Sequence, residues 1–328
     1  YKPAPEFIRK CHFDAVIFDV TVLCLRYLNT YGIYEKKVYE KFVKNYSFLK
    51  YCSCVKIAFP QDDYDCSKIL DNWLINWGVD VVFSPLADNP DISKIYENYI
   101  KFGRIELGYT GYIDDDYFKL KEKVKPFKER EIDIFYRTKK LLPYFGWIGE
   151  LKWKIADIVK EKAKEYGLKV DISYRYEDSI FKDKWFDFLG NSKFVLGSLS
   201  GSSLIDPYGE IQKKVRKYCK LNPNYNYFEV EKNFFPNQDI YYFTAISPRN
   251  IEAAFTLTGQ ILVKGYYSGI LKPWEDYIPL EPDASNFYEV YNAMTDFDYS
   301  QRIIKKCYEK IASTKDLYYE NLANRVIN

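Results

Sequence analysis

"ISPRNIEAAFTLTGQILVKG", residues 246–265, is the stretch from which the fold can be read. Ser247 is a good N-cap, and Pro248 suits the first helical position, where its missing N–H costs nothing. Glu252, Ala253, Ala254 and Phe255 continue as helix formers. "GQILVKG" (259–265) then reads as a buried strand. A helix followed at once by such a strand is one step of an α/β alternation. Arg249 stands in the first helical turn, where the dipole disfavours a cation. A helix N-terminus is also a natural seat for anions, so an Arg placed there points to a phosphate partner. Glu252, about one turn on, could accept hydrogen bonds from a ribose diol.

The alternation extends outward in both directions. "IDIFYR" (132–137), "LKVDIS" (168–173), "KFVLGS" (193–198) and "DYIPL" (276–280) read as strands. "GELKWKIADIVKEKAKEYG" (149–167) is a long helix with Gly167 at its end. "SNFYEVYNAM" (285–294) and two further stretches, about 299–312 and 315–326, are helical. The first 128 residues repeat the pattern, with strands in 14–20, 55–64, 79–85 and 103–117 and helices in 35–50 and 66–78. Between the halves, "KLKEKVKPFKERE" (119–131) is charged, carries Pro126 and reads as a linker. The expectation is α/β: two Rossmann-like domains, 1–128 and 129–298, each with a parallel sheet covered on both faces. Helices in 299–328 close the chain and are expected to pack back toward the first domain.

Composition narrows the function. The chain has 328 residues, 47% of them hydrophobic, enough for two ordinary cores. Its net charge is +2 with the signs interspersed, which gives no electrostatic case for nucleic acid. No apolar run approaches the roughly 20 residues that span a bilayer. Seven cysteines at irregular spacing suit reduced thiols in a cytoplasmic compartment. The sequence begins at Tyr1 rather than Met, so a piece of a longer chain is expected.

Other residues could carry chemistry. Arg137 follows a strand, and Lys152 sits near a helix start after Gly146 and Gly149; two such cations suit a diphosphate. In "LGSLSGSSLIDPYG" (196–209), small residues including Gly201 and Ser202 follow a strand and let backbone approach a ligand. It lacks the Lys of a phosphate-binding P-loop. Asp62 and Asp63 lie at the carboxyl end of a strand, where either could act as general base facing an inter-domain cleft. Asp114 and Asp116 could instead hold a divalent metal on a nucleotide diphosphate. His12 is the only histidine, which argues against His-dependent triads and metal clusters.

Three segments carry a resemblance: "YRTKKLLPYFGWIGELK", "DISYRYEDSIFKDKWFDFLGNSKFVLGSLSGSS" and "ISPRNIEAAFTLTGQILVKGYYSGILKPWEDYIPLEPDASN". The region from about 130 to 296 resembles the nucleotide-sugar-binding half of GT-B glycosyltransferases, most of all those encoded among bacterial surface-polysaccharide genes. Weaker similarity reaches the first half, whose usual first strand is absent. The resemblance implies a nucleotide-sugar donor and a glycan or lipid-linked glycan acceptor, with no cofactor and no metal. Ser247, Arg249, Gly201 and Ser202 would lie at the donor and its diphosphate, with Glu252 at the ribose. Arg137 and Lys152 would neutralise the leaving phosphate. The acceptor would enter near Asp62, Asp63 and Thr110-Gly111-Tyr112. Such an enzyme is expected in the cytoplasm, in peripheral association with a membrane assembly at its inner face. Two other readings stand beside it: a non-catalytic nucleotide- or carbohydrate-binding module of a larger assembly protein, and a metal-dependent transferase using Asp114 and Asp116.

Overall fold

The structure is a computed structural model and describes residues 4–28, 33–122, 124–181 and 183–327. Residue 123 of the expected linker and residue 182 of the second resembling segment lie outside these. Short helical turns aside, the elements in chain order are first β1 (Ala15–Phe18), α1 (Ile33–Tyr46), β2 (Val55–Ala58), α2 (Ser67–Asn76), β3 (Val81–Ser84) and β4 (Arg104–Leu107). Then come β5 (Ile132–Arg137), α3 (Gly146–Glu165), β6 (Val170–Ser173), α4 (Asp183–Gly190) and β7 (Ser192–Gly197). The chain continues with α5 (Glu210–Leu221), α6 (Tyr227–Phe234), α7 (Pro248–Phe255), β8 (Gly259–Val263) and β9 (Ile278–Leu280). It ends with α8 (Phe287–Thr295), α9 (Phe297–Ser313) and α10 (Tyr319–Ile327). Among the described residues no helix is long and apolar enough to cross a membrane.

These elements form two compact units of interleaved segments. The first holds residues 1–109, 142–146 and 202–243; the second holds 110–141, 147–201 and 244–328. The first unit carries a four-stranded parallel sheet in the order β1-β2-β3-β4. Right-handed crossovers between sequential neighbours put the connecting helices on one face. There Phe18, Ala58 and Val82 meet Phe42 of α1 and Leu70, Trp73 and Leu74 of α2. Aromatic edges dominate this core: Trp77 meets Phe18 at 5.4 Å and Trp73 at 5.5 Å. Phe145, Ile205, Tyr241 and Phe243, from the two later segments, complete it. On the opposite face Ile17 and Val55 are 53% and 50% exposed. Ile57 and Phe83 on that same face are each 2% exposed, so it is open only toward β1 and the start of β2.

The second unit is doubly wound. Its five parallel strands run in the order β9-β8-β7-β5-β6, which reverses between β5 and β7. Neighbouring residues of β5 point to opposite faces, and both Ile134 and Phe135 are fully buried, so this sheet is covered on both sides. α4 seals one part: Leu189 and the partly buried Trp185, Phe186 and Phe188 pack with Phe135 and Val195.

At two places the units divide the chain elsewhere than the expected boundaries. Residues 110–128 belong to the second unit because the N–H of Ile113 donates to the Leu317 carbonyl at 2.7 Å, and Tyr117 and Phe118 set their ring edges against Phe255 at 5.3 and 5.2 Å. Residues 299–328 belong there too, with Ile303, Ile304, Cys307 and Ile311 forming the buried stripe of α9. The expected linker also has an anchor. Arg130 is 4% exposed, and its guanidinium donates to the carbonyls of Lys125, Ser192, Leu257 and Thr256 at 2.9–3.0 Å. Arg130→Ala strips four buried or half-buried carbonyls of their donor and is expected to cost roughly 3 kcal/mol in urea unfolding. Arg130→Lys restores little, since an ammonium cannot span the same fork.

Candidate functional site

Ligands of open parallel sheets bind outside the carboxyl ends of the strands, where the strand order reverses. In the second unit that place is between β5 and β7. A cavity of about 540 Å³ lies there, lined by Tyr136 at the end of β5, Gly197 and Ser198 after β7, Lys152 of α3, Trp185 of α4 and residues 247–250 and 252. Its size is that of a nucleotide or drug-sized ligand.

α7 supplies most of the polar lining, and its start is built as the sequence suggested. Ser247 is the N-cap with extended backbone (φ −108°, ψ 158°), and Pro248 follows it. The turn is then closed by Asn250. The N–H and the hydroxyl of Ser247 both donate to Asn250 Oδ1, at 3.0 and 2.9 Å. Asn250 Nδ2 donates to Gln260 Oε1 at 2.9 Å, and Gln260 Nε2 donates back to the Asn250 carbonyl at 3.0 Å and to Cys307 Sγ at 3.1 Å. Two buried amides thus lock the helix start onto β8 and α9. Gly111 supports it from outside: a Cβ there would stand 2.9 Å from Pro248 Cγ. Thr110 Oγ1 donates to the Ile246 carbonyl at 3.2 Å.

Two charged groups of the pocket, Arg249 and Glu252, are held by one ring. Arg249, exposed in the first turn, sets its guanidinium over Trp185 with Cζ 5.2 Å from the ring centroid. Its Nη1 donates to the Arg137 carbonyl at 2.6 Å. Trp185 Nε1 donates to Glu252 Oε2 at 2.8 Å. A stacked guanidinium is worth about 0.5–2 kcal/mol and keeps a planar donor edge available to an anion. Burial pushes the Glu252 carboxyl above its ordinary value; the Trp185 bond and the Arg249 charge oppose that rise. Burial also pushes the Tyr136 hydroxyl up to about 12, so it stays protonated and donates to the Lys152 carbonyl at 2.9 Å.

Lys152, Ser247, Arg249 and Glu252 therefore meet in one cavity, and the other expected residues lie elsewhere. The guanidinium of Arg137 turns away, to Asp171 Oδ1 at 2.7 Å and the carbonyls of Tyr136, Asp171 and Asp178 at 2.9–3.1 Å. What Arg137 contributes beside the pocket is its carbonyl. Gly201 ends a segment of the second unit and Ser202 opens one of the first. Ser202 is 1% exposed, with its hydroxyl within 3.2 Å of the Phe145 and Leu204 carbonyls; Ser198 and Ser200 line the cavity instead. Thr110 and Gly111, expected on the acceptor side, buttress α7 within the second unit, and Tyr112 is buried beside Tyr319 at 5.3 Å.

In the first unit, Asp62 and Asp63 follow β2 as expected but differ in setting. Asp63 is fully buried, and its Oδ2 accepts from the Ser84 hydroxyl and from the Tyr96 hydroxyl at 2.6 Å. Burial pushes its carboxyl up. It is a core group rather than a base open to substrate. Asp62 is exposed in a left-handed backbone conformation (φ 51°) and accepts from the Tyr64 hydroxyl at 2.6 Å. Arg26, fully buried, fixes this loop by donating to the carbonyls of Gln61, Asp62 and Asp65 at 2.8–3.0 Å. Asp114 and Asp116 form a local turn: Asp114 Oδ1 accepts the Asp116 N–H at 3.0 Å, and Asp116 pairs with Lys119 at 2.6 Å. Among the described residues no group of three or more His, Cys, Asp and Glu side chains could hold a metal ion.

Sequence reasoning missed Trp185, Tyr136, Asn250 and Gln260. Asn250 had a local signal, since it is the third helical residue after a Ser N-cap, the position from which a side chain returns to the cap. The other three had none.

No protein-family model matches the sequence, and no curated protein matches it. Solved structures do resemble it. An α-glucosyltransferase in complex with UDP-glucose and DNA containing an abasic site superposes with a TM-score of 0.51 at 11% identity, over 96% of this chain and 80% of that one. A sucrose-phosphate synthase from Thermosynechococcus elongatus gives 0.48 at 11% identity, over 98% and 73%. HepE of Anabaena in complex with UDP-glucose gives 0.42 at 8% identity, over 95% and 98%. The first likeness is one of fold, and the fold is the GT-B type with two Rossmann-like sheets.

Glu252 allows a test of the pocket that needs no ligand. Its folded-state value is raised, so the folded protein binds the proton more tightly than the unfolded chain does. Stability therefore falls as pH rises from the ordinary carboxylate range through the raised value, and the deficit persists at neutral pH. Glu252→Gln keeps an acceptor for Trp185 and removes the charge. Thermal melts are expected to show the variant more stable than wild type at pH 7, with the gap closing below about pH 4.

Proposed function

We propose that the chain is a glycosyltransferase that takes a sugar from a nucleotide-activated donor, with the donor seated in the cavity between β5 and β7. One observation supports this above the others: a guanidinium, a lysine and a half-buried carboxylate line a nucleotide-sized cavity at the switch point of a parallel sheet. In this reading Arg249 and Lys152 hold the diphosphate. Glu252, with Oε2 taken by Trp185, offers Oε1 to a ribose diol. As the anomeric bond breaks, negative charge gathers on the departing phosphate. Fixed positive charge placed there beforehand stabilises that change more than it stabilises the bound donor. Arg249 and Lys152 would then do the work of a divalent cation, making transfer metal-independent.

The acceptor proposed is a glycan or lipid-linked glycan in surface polysaccharide synthesis, met in the cytoplasm at the inner face of a membrane. That part rests on the sequence resemblance.

Thermal shift with UDP and UDP-glucose, followed by an assay for released UDP, tests the reading. Wild type is expected to melt higher with either ligand and to turn over UDP-glucose in the presence of EDTA. Arg249→Ala and Lys152→Ala are each expected to cut turnover about a hundredfold or more while leaving the ligand-free melt within a few degrees. Wild-type turnover in both variants would sink the proposal. Binding without any release of UDP would instead make the chain a non-catalytic nucleotide-sugar-binding module.

A further inference from the structure

The start of α7 offers fewer N–H groups to an anion than its position suggests. Pro248 has none. The Ser247 N–H goes to Asn250 Oδ1, and the Asn250 N–H goes to the Ser247 carbonyl at 3.0 Å. Arg249 has the first-turn N–H still open to a ligand. The hydroxyl of Ser247 is constrained as well. Asn250 cannot turn its amide around, because Oδ1 must accept a backbone N–H while Nδ2 donates to Gln260 Oε1. Gln260 cannot turn either, because its Nε2 donates to the Asn250 carbonyl. Main-chain groups thus fix the polarity of both amides. The atom facing the Ser247 hydroxyl is an acceptor, so the hydroxyl must give it its proton.

The capping box also turns one lone pair of this oxygen to the Asn250 N–H, so with its proton engaged the oxygen has one lone pair left for the cavity it lines. A phosphate oxygen, which only accepts, could bind there only by breaking the Asn250 bond, one bond exchanged for another. A ligand hydroxyl adds a bond and breaks none. We propose that Ser247 is a specificity-determining residue that accepts a hydrogen bond from a hydroxyl of the donor sugar and takes no part in gripping the diphosphate. The inference rests on the nucleotide-sugar reading of the same cavity, and it divides the labour there. Arg249 and Lys152 bind what every nucleoside diphosphate has, and Ser247 binds what the sugar adds.

Calorimetric titration with UDP and with UDP-glucose separates the two roles. Ser247→Ala is expected to weaken UDP-glucose about three- to tenfold, one hydrogen bond's worth, and to leave UDP within about twofold. Ser247→Thr, which keeps a hydroxyl, is expected to restore UDP-glucose binding. Should Ser247→Ala destabilise the helix start, Ser247→Gly removes the same hydroxyl at a smaller capping cost and must give the same pattern. Equal weakening of both ligands, or of neither, overturns the inference while leaving the nucleotide-sugar reading intact. If wild type binds neither ligand, that reading falls and this inference with it.

Discussion

Everything at the candidate site depends on the side chain of Asn250. Its oxygen closes the first turn of α7 by taking both donors of Ser247, and its nitrogen ties that turn to Gln260 near the start of β8. A buried amide is costly unless each polar atom finds a partner, and here each does, so the cost becomes rigidity. The position of Arg249 follows from it. One residue before Asn250, Arg249 leaves the helix start at a fixed angle, and its guanidinium comes to lie on the ring of Trp185. Glu252 is fixed by the indole nitrogen of the same ring. Two side chains of opposite charge are thereby held in fixed orientations at one cavity.

Buried arginines play a parallel role in each unit, and neither belongs to a site. Arg26 gathers the carbonyls of the loop after β2, and Arg130 gathers those at the ends of α7 and its neighbours. A guanidinium can satisfy several carbonyls that no regular element has claimed. Irregular backbone can then be buried without orphaned acceptors. A charged stretch such as 119–131, which reads as a solvated linker, is tied into a unit in this way, with the Phe127 ring packed against Phe194 and Phe297 beside it.

Much of this was legible because its causes are local. The strand at 132–137 and the cap at Ser247-Pro248 follow from neighbouring residues, and both stand where the sequence placed them. What the sequence hid depends on partners distant along the chain. Arg137 reads as a free cation after a strand, and nothing nearby announces that Asp171 will claim it. Trp185 reads as one apolar residue of a helix until Arg249 and Glu252 arrive beside it. Asp63 looks like its neighbour Asp62, and only the packing of Ser84 and Tyr96 separates core carboxyl from exposed one. The alternation of strands and helices also passed over 202–243, whose helices α5 and α6 belong to a unit whose sheet ended about a hundred residues earlier.

That interleaving bears on how such a chain can change over time. With three segments in each unit, the backbone passes from one to the other five times. A cut between two tandem domains would leave each half whole. No single cut does so here, since any piece ending near residue 128 lacks Phe145, Phe235 and Phe243 of the first unit, two of them fully buried. The two units of this molecule cannot be traded as cassettes by one recombination event. New pairings would have to arise by point substitution within an inherited whole.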